Sequence, residues 1–255
     1  MQPDPIEVRL MDGFELVSDG VAVPCPLTAQ RLLAFLGLHD RPLQRLFVAG
    51  KLWTDSTEER ALASLRSAIY RANRPIAALI RVVDSRLSLG PGVRVDVREA
   101  SAHAHALIEG ECGECRAGPL LDGELLPDWY DDWLIIERER FRQLRLHGLE
   151  ALSRWLLERR RYGEAAEAAL SAIAGEPLRE SAHRALIRVH FAEGNPSEAL
   201  RHFELFRRML HDELGLAPSP QLEALMRAAG DGRVTPRLQA PSPWPRREPS
   251  APAFS

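Results

Sequence analysis

Lysine is almost absent from this chain. One lysine, Lys51, stands among 33 basic residues, so arginine carries nearly all the positive charge. That bias, with abundant alanine, points to a GC-rich genome rather than to a function. Cysteine is scarce too. Three in 255 residues exclude a disulfide framework and fit a reducing compartment. No apolar run approaches the roughly 20 residues that a bilayer crossing needs. Met1 to Pro5 is polar and lacks the basic-then-apolar order of a signal sequence, so a cytoplasmic location without membrane partners is expected. The chain also lacks a glycine-rich phosphate loop, a Gly-x-Ser-x-Gly elbow and a His-Glu-x-x-His run. The eight histidines are scattered. No enzyme class is indicated and no cofactor is expected.

What is present is a core-forming composition, 45% hydrophobic, over a length that fits about two domains. A net charge of −3 excludes a generally basic nucleic-acid coat. The charge is unevenly spread. From Thr57 to Arg98 eight arginines (60, 66, 71, 74, 81, 86, 94 and 98) face four acids, whereas from Glu99 onward 25 acids outnumber 20 basic residues. A local positive patch on an otherwise acidic chain fits a dedicated binding face.

The first third alternates. Ile6 to Leu10, Phe14 to Leu16 and Val21 to Val23 read as short strands, with turns at Asp12-Gly13 and Asp19-Gly20. A helix is expected from Thr28, burying Leu32, Leu33, Phe35, Leu36 and Leu38, and a shorter one from Leu43 to Trp53. A third spans Thr57 to Arg74. Ile80 to Val83 and Arg86 to Leu89 form a hairpin about Asp84-Ser85, and Val93 to Asp96 is a last strand. Strands, three helices, then a hairpin is the order of a winged helix with an N-terminal sheet. In such folds the second helix of the motif enters the major groove and the hairpin touches flanking backbone.

The third helix carries the most information. At 100° per residue Leu62, Leu65, Ile69 and Ala72 form one stripe, and Arg60, Ser64, Ser67, Arg71 and Arg74 the opposite one. A face of arginines and small hydroxyls can approach a polyanion closely. Ser56 and Glu59 have capping-box spacing at the start. Glu58 and Glu59 suit the positive end of the helix dipole but repel phosphates, so phosphate contacts are expected along the middle and C-terminal half. Arg60, Ser64, Ser67 and Arg71 are the candidates for base edges, with Arg66, Arg74 and, at the wing tip, Arg86 for backbone. Arg66 pairing an acid on a neighbouring helix is the alternative. A solvated surface helix is the plain alternative for the whole face.

From about Ala100 strand patterns vanish. Glu164-Ala165 recurs as Glu198-Ala199 and Leu152 as Leu186, both at an offset of 34, the tetratricopeptide period. Helices are expected near 131–160, 163–175, 179–193 and 197–213, with another from Ser219-Pro220 to about Ala229. Gly230 to Ser255 holds six of the 19 prolines and reads as a disordered tail. The expected architecture is mainly α: an α+β winged helix over 1–98, a tetratricopeptide-like all-α domain over 99–229, and the tail over 230–255. Trp129, Tyr130 and Trp133 are candidates for an interface or for core.

Leu52-Trp53-Thr54-Asp55, followed by Leu65-Arg66-Ser67-Ala68-Ile69 and Arg71, resembles the DNA-binding part of the Streptomyces antibiotic regulatory protein family. Gly118 to Leu121, Leu126-Pro127, Trp133, Glu137-Arg138 and Arg140 resemble the start of the bacterial transcriptional activation domain. Glu176 to His183 and Glu213 to Pro220 are similar to its later part. The similarity covers about residues 6 to 229. It implies a transcription regulator, an activator whose winged helix reads direct repeats in double-stranded DNA near a promoter. The helical-repeat domain would support a homodimer on DNA and contact RNA polymerase subunits. Two departures stand out: Ala72-Asn73 where the family often has Leu-Arg, and a wing without the usual Gly-Tyr before its second strand. The rival reading is a protein-binding scaffold whose winged helix has lost DNA binding.

His103, His105, Cys112 and Cys115 lie close in sequence, and Cys112-Gly113-Glu114-Cys115 has zinc-knuckle spacing. Ala100 to Glu109 reads as helical, however. Histidines two apart then point about 200° from each other and cannot share one ion. No metal is therefore assigned, with Cys112 and Cys115 kept as a minor two-cysteine alternative. Cys25, between two prolines, reads as structural.

Overall fold

Alternation at the start of the chain becomes a meander of β1 (Ile6–Arg9), β2 (Glu15–Ser18) and β3 (Val21–Ala22). Asp19 and Gly20 turn it with φ of 53° and 74°, the left-handed pair that a tight hairpin needs. The computed structural model describes residues 6–111 and 123–230. Three helices follow: α1 (Leu27–Gly37), α2 (Arg45–Leu52) and α3 (Glu58–Asn73). Between the first two, Leu43 and Gln44 form a short strand, β4, rather than the opening turn of α2. They pair with β6 (Arg86–Leu89), which pairs in turn with β5 (Ile80–Val83). A final strand, β7 (Val93–Val95), returns beside β1 in parallel, giving the sheet order β3-β2-β1-β7.

The remaining elements are helical: α4 (Asp96–Glu109), α5 (Asp132–Glu158), α6 (Tyr162–Gly175), α7 (Glu180–Glu193), α8 (Pro196–Leu214) and α9 (Pro220–Gly230). Repeat-equivalent residues take equivalent places. Leu152 and Leu186 are buried on α5 and α7, and Ala165 and Ala199 are fully buried on α6 and α8. The alanines let paired helices approach, and the buried Ser153 hydroxyl donates to the Ala165 carbonyl at 2.8 Å. The chain is thus an α+β winged helix followed by tetratricopeptide-like helix pairs.

The two parts share side chains. Val97 and Ala100 of α4 and Leu134 and Phe141 of α5 join the same core as Leu10, Leu33, Leu65 and Leu87, whereas Ala104 and Leu107 join the core of α5 and α6. Trp129 and Trp133 pack on the first core, Trp133 edge-on to Phe35 at 5.1 Å between centroids, while Tyr130 is 93% exposed. Arg31 of α1 pairs with Asp131, which also accepts from the Trp133 indole at 3.1 Å. Asp12 and Glu124 exchange backbone and side-chain hydrogen bonds at 2.8 and 2.9 Å.

A histidine pair, His183 buried and His202 half-buried, holds α7 to α8. His183 Nε2 donates to the Pro177 carbonyl at 2.8 Å, so its Nδ1 accepts from His202 Nε2 at 2.9 Å, and both rings are neutral. Phe206 stacks on His183 at 4.0 Å. Desolvation, then the neighbouring His183 and His190, pushes the His202 pKa down to about 4. A depressed histidine pKa means that the unfolded chain binds the proton first. This contribution to stability is complete above pH 6.5 and is lost as pH falls towards 4. Thermal melts over that window are expected to show a shallower fall for His202→Gln than for the wild type. Equal slopes would remove His202 as the cause.

Candidate nucleic-acid interface

The third helix folds where its pattern places it, but with a different start and rotation. Thr57 is the N-cap residue, its carbonyl accepting from Ala61 at 2.9 Å, and no side chain caps the end. The Ser56–Glu59 capping box therefore does not form. Ser56 sits one residue too early, in the turn that its amide closes on the Trp53 carbonyl, and the third helical position falls to Arg60. The buried face consists of Ala61, Leu65, Ala68 and Ala72, with Leu62 and Ile69 only half-buried. This set is turned by about 50° from the Leu62-Leu65-Ile69-Ala72 stripe. The cause is steric: small alanines let α3 lie close on α1 and α2, whereas the larger leucine and isoleucine fit along the edge.

The turn redistributes the outer side chains. Tyr70 stands in the middle of the outer face, 69% exposed. Arg60, Ser67, Arg71 and Arg74 line one flank and Arg66 the other, all exposed, while Ser64 is half-buried. Among the described residues none of these arginines has a carboxylate within ion-pair distance, Arg66 included. Other arginines of the same stretch are committed. Arg94 pairs with Glu99 at 2.6 Å, and Arg98 holds the Leu36 and Gly37 carbonyls at 2.8 and 2.7 Å and Asp40 at 3.1 Å. Those two leave the positive patch, which narrows to α3 and the wing.

The wing is the β5–β6 hairpin, turned at Asp84 and Ser85 with φ of 47° and 63°. Arg86 stands at its tip opposite Val83, and β4 pairs Gln44 with Arg86. Arg81, Arg86 and the single acid Asp84, with Pro42, Gln44, Val83 and Ser88, border an open concavity of about 620 Å³. Asn73 fixes the wing to the helix: its side-chain amide donates to the Ile80 carbonyl at 3.0 Å and accepts the Ile80 amide at 2.7 Å. The departure from Leu-Arg thus has a structural role, with Ala72 fully buried beside it. Sequence reading missed Asn73, Arg81 and the central place of Tyr70. An amide side chain seven residues before a strand was the available signal for the first.

Cys112 and Cys115 lie outside the described residues, as does the tail. Among the described residues no group of three or more His, Cys, Asp or Glu is arranged to hold a metal ion. Burial pushes the Cys25 thiol up to about 11, so it is not a thiolate near neutral pH. No helix among the described residues is long and apolar enough to cross a membrane.

A winged helix joined to paired-helix repeats is the architecture of a class of bacterial transcription regulators. The bacterial transcriptional activator domain family matches residues 93–229. The chain belongs to that family and is a transcription regulator of the Streptomyces antibiotic regulatory protein type. It is similar to the regulatory protein AfsR of Streptomyces coelicolor, 30% identical over 227 residues, covering 81% of this chain and 22% of that protein. The AfsR of Streptomyces griseus is 26% identical over 235 residues, covering 86% of this chain and 23% of that protein. The chain therefore spans less than a quarter of the length of these relatives. A solved structure, Mycobacterium tuberculosis EmbR in complex with a low affinity phosphopeptide, shares the fold. Its TM-score is 0.69 at 20% identity, covering 90% of this chain and 66% of that one.

Proposed function

We propose that this regulator is a sequence-specific DNA-binding activator. Residues 1–98 would read direct repeats in a promoter through α3 and the wing, as a homodimer on DNA. Residues 99–229 would contact RNA polymerase subunits. The observation that carries the reading is the set of exposed arginines, Arg60, Arg66, Arg71, Arg74, Arg81 and Arg86, which have no carboxylate partner among the described residues and lie on one helix and the hairpin clamped to it. Unpaired guanidinium groups attract phosphate, and binding releases the counterions condensed on the duplex. Ser67, and Ser64 where the half-buried edge allows, would supply short hydrogen bonds at the groove floor. Regulation through DNA involves no reaction, and no residue is assigned a catalytic role.

Fluorescence anisotropy with the duplex upstream of the gene, at two salt concentrations, tests this reading. Wild-type affinity should fall steeply with salt. Arg71→Ala should lose about 1–3 kcal/mol of specific binding, and the log–log salt slope should shrink by about 1 if Arg71 contacts phosphate. Salt-independent binding, or an Arg71→Ala variant of unchanged affinity, would defeat the assignment.

A further inference from the structure

Several arginines of the repeat helices are neutralised by a nearby carboxylate. Arg142 pairs with Glu139 and Glu176, Arg161 with Glu164, Arg179 with Glu150, Arg201 with Glu198 and Arg207 with Glu204, all within 3 Å. Three others are arranged differently. Arg154 of α5 and Arg184 and Arg188 of α7 line one shallow cleft of about 60 Å³, floored by Ser153, Leu157, Ser181 and Ala185. Arg154 and Arg188 are 34 residues apart, one repeat period, so the stacking of the helix pairs brings equivalent positions side by side. Arg184 precedes Arg188 by one turn.

Among the described residues Arg154 and Arg188 have no carboxylate within ion-pair distance. Arg184 reaches only Glu180, at 3.9 Å, and Glu180 is already bound to the Ser219 hydroxyl and amide. Glu150, the one acid lining the cleft, is engaged by Arg179 and Ser181 at 2.6 Å. Burial, then the proximity of Arg184 and Arg154, lowers the Arg188 pKa. Like charges one turn apart on a helix destabilise it slightly. The ridge therefore weakens the folded chain unless an anion covers it.

We infer that the α5–α7 cleft is a docking site for an acidic polypeptide segment of a partner protein, its carboxylates seated on Arg154, Arg184 and Arg188. The cleft is small and its arginines reach solvent, so a small lone anion would stay hydrated there and gain little. A chain bearing several carboxylates adds contact to contact along the ridge, while Leu157 and Ala185 give its apolar atoms a floor. Stacked helix pairs present extended surfaces that repeat proteins use for binding. This inference is separate from the DNA reading and is measured on a different ligand.

The test uses the full chain and a fluorescein-labelled peptide of alternating glutamate and alanine, with its glutamine counterpart as control. Anisotropy at low salt should show binding of the glutamate peptide alone. Arg154→Gln/Arg184→Gln/Arg188→Gln should weaken it about tenfold, the factor that three exposed ion pairs deliver together. The same triple variant should melt no lower than the wild type and keep its affinity for upstream duplex DNA. Unchanged peptide affinity in the triple variant would overturn the site. Equal binding of the glutamine peptide would overturn the charge basis. A parallel loss of duplex affinity would make the ridge part of the nucleic-acid surface and overturn the peptide assignment.

Discussion

Asp96→Ala is expected to lower the stability of the whole chain by about 3–5 kcal/mol. Asp96 opens α4 at the point where the winged helix meets the repeats. Its carboxylate accepts from the Leu10 amide through both oxygens at 2.9 Å, from Met11 at 3.0 Å and from Val97 at 2.7 Å. Burial raises its pKa, and the three backbone amides oppose that rise by favouring the ionised form. Alanine would strand these donors where β1 ends and α4 begins. Water reaches the site only in part, so the loss stays near the desolvation cost of each amide. The negative charge at the positive end of α4 would go with it. Urea titration should show a lower midpoint with an unchanged slope, and amide exchange at Leu10 and Met11 should accelerate. A loss below about 1 kcal/mol would mean that solvent replaces the carboxylate freely.

Gly90→Ala is the second large effect, expected at about 3 kcal/mol with displacement of the wing. A Cβ built at Gly90 lies 2.3 Å from the Ala78 carbonyl oxygen, a backbone atom that cannot rotate away. The Gly90 amide also donates to the Leu79 carbonyl at 2.8 Å, so the strand is held against this loop from the other side. The methyl group must push β6 off the segment that leads from α3 into β5. The effect should be double: a lower melting temperature, and weaker duplex binding than stability alone explains, since Arg81 and Arg86 ride on the hairpin. Gly92→Ala, with a φ of 84° but open space around it, should cost about 1 kcal/mol and leave the wing in place. Similar behaviour of the two variants would refute the close-approach argument.

Repetition and periodicity made the helical half readable. Glu164-Ala165 and Glu198-Ala199, with the paired leucines, located α5 to α8 within a few residues because each repeat must bury the same small-residue face. The first three strands were equally clear, since Asp-Gly pairs punctuate them, whereas β4 was hidden in what read as the start of α2. The rotation of α3 was not. A leucine or isoleucine marks a buried stripe by its own hydrophobicity. An alanine is buried because a neighbouring helix needs the space, and that need lies in how α1 and α2 pack on α3, which periodicity within α3 does not show. The same limit applies to charge. Arg98 and Arg74 look alike in the chain, yet one is spent on the carbonyls at the end of α1 and the other faces solvent. Asn73 reads as a missing cation until Ile80 is placed beside it.

The seam between the winged helix and the repeats has no swivel: α4 and α5 each begin in one core and continue into the next, with Arg31 and Asp131 riveting the outside. A body of this kind hands strain on to whatever it grips. If two copies bind operator repeats as proposed, the duplex between them would do the twisting, and the spacing tolerated would be set by the torsional stiffness of DNA rather than by play within the protein.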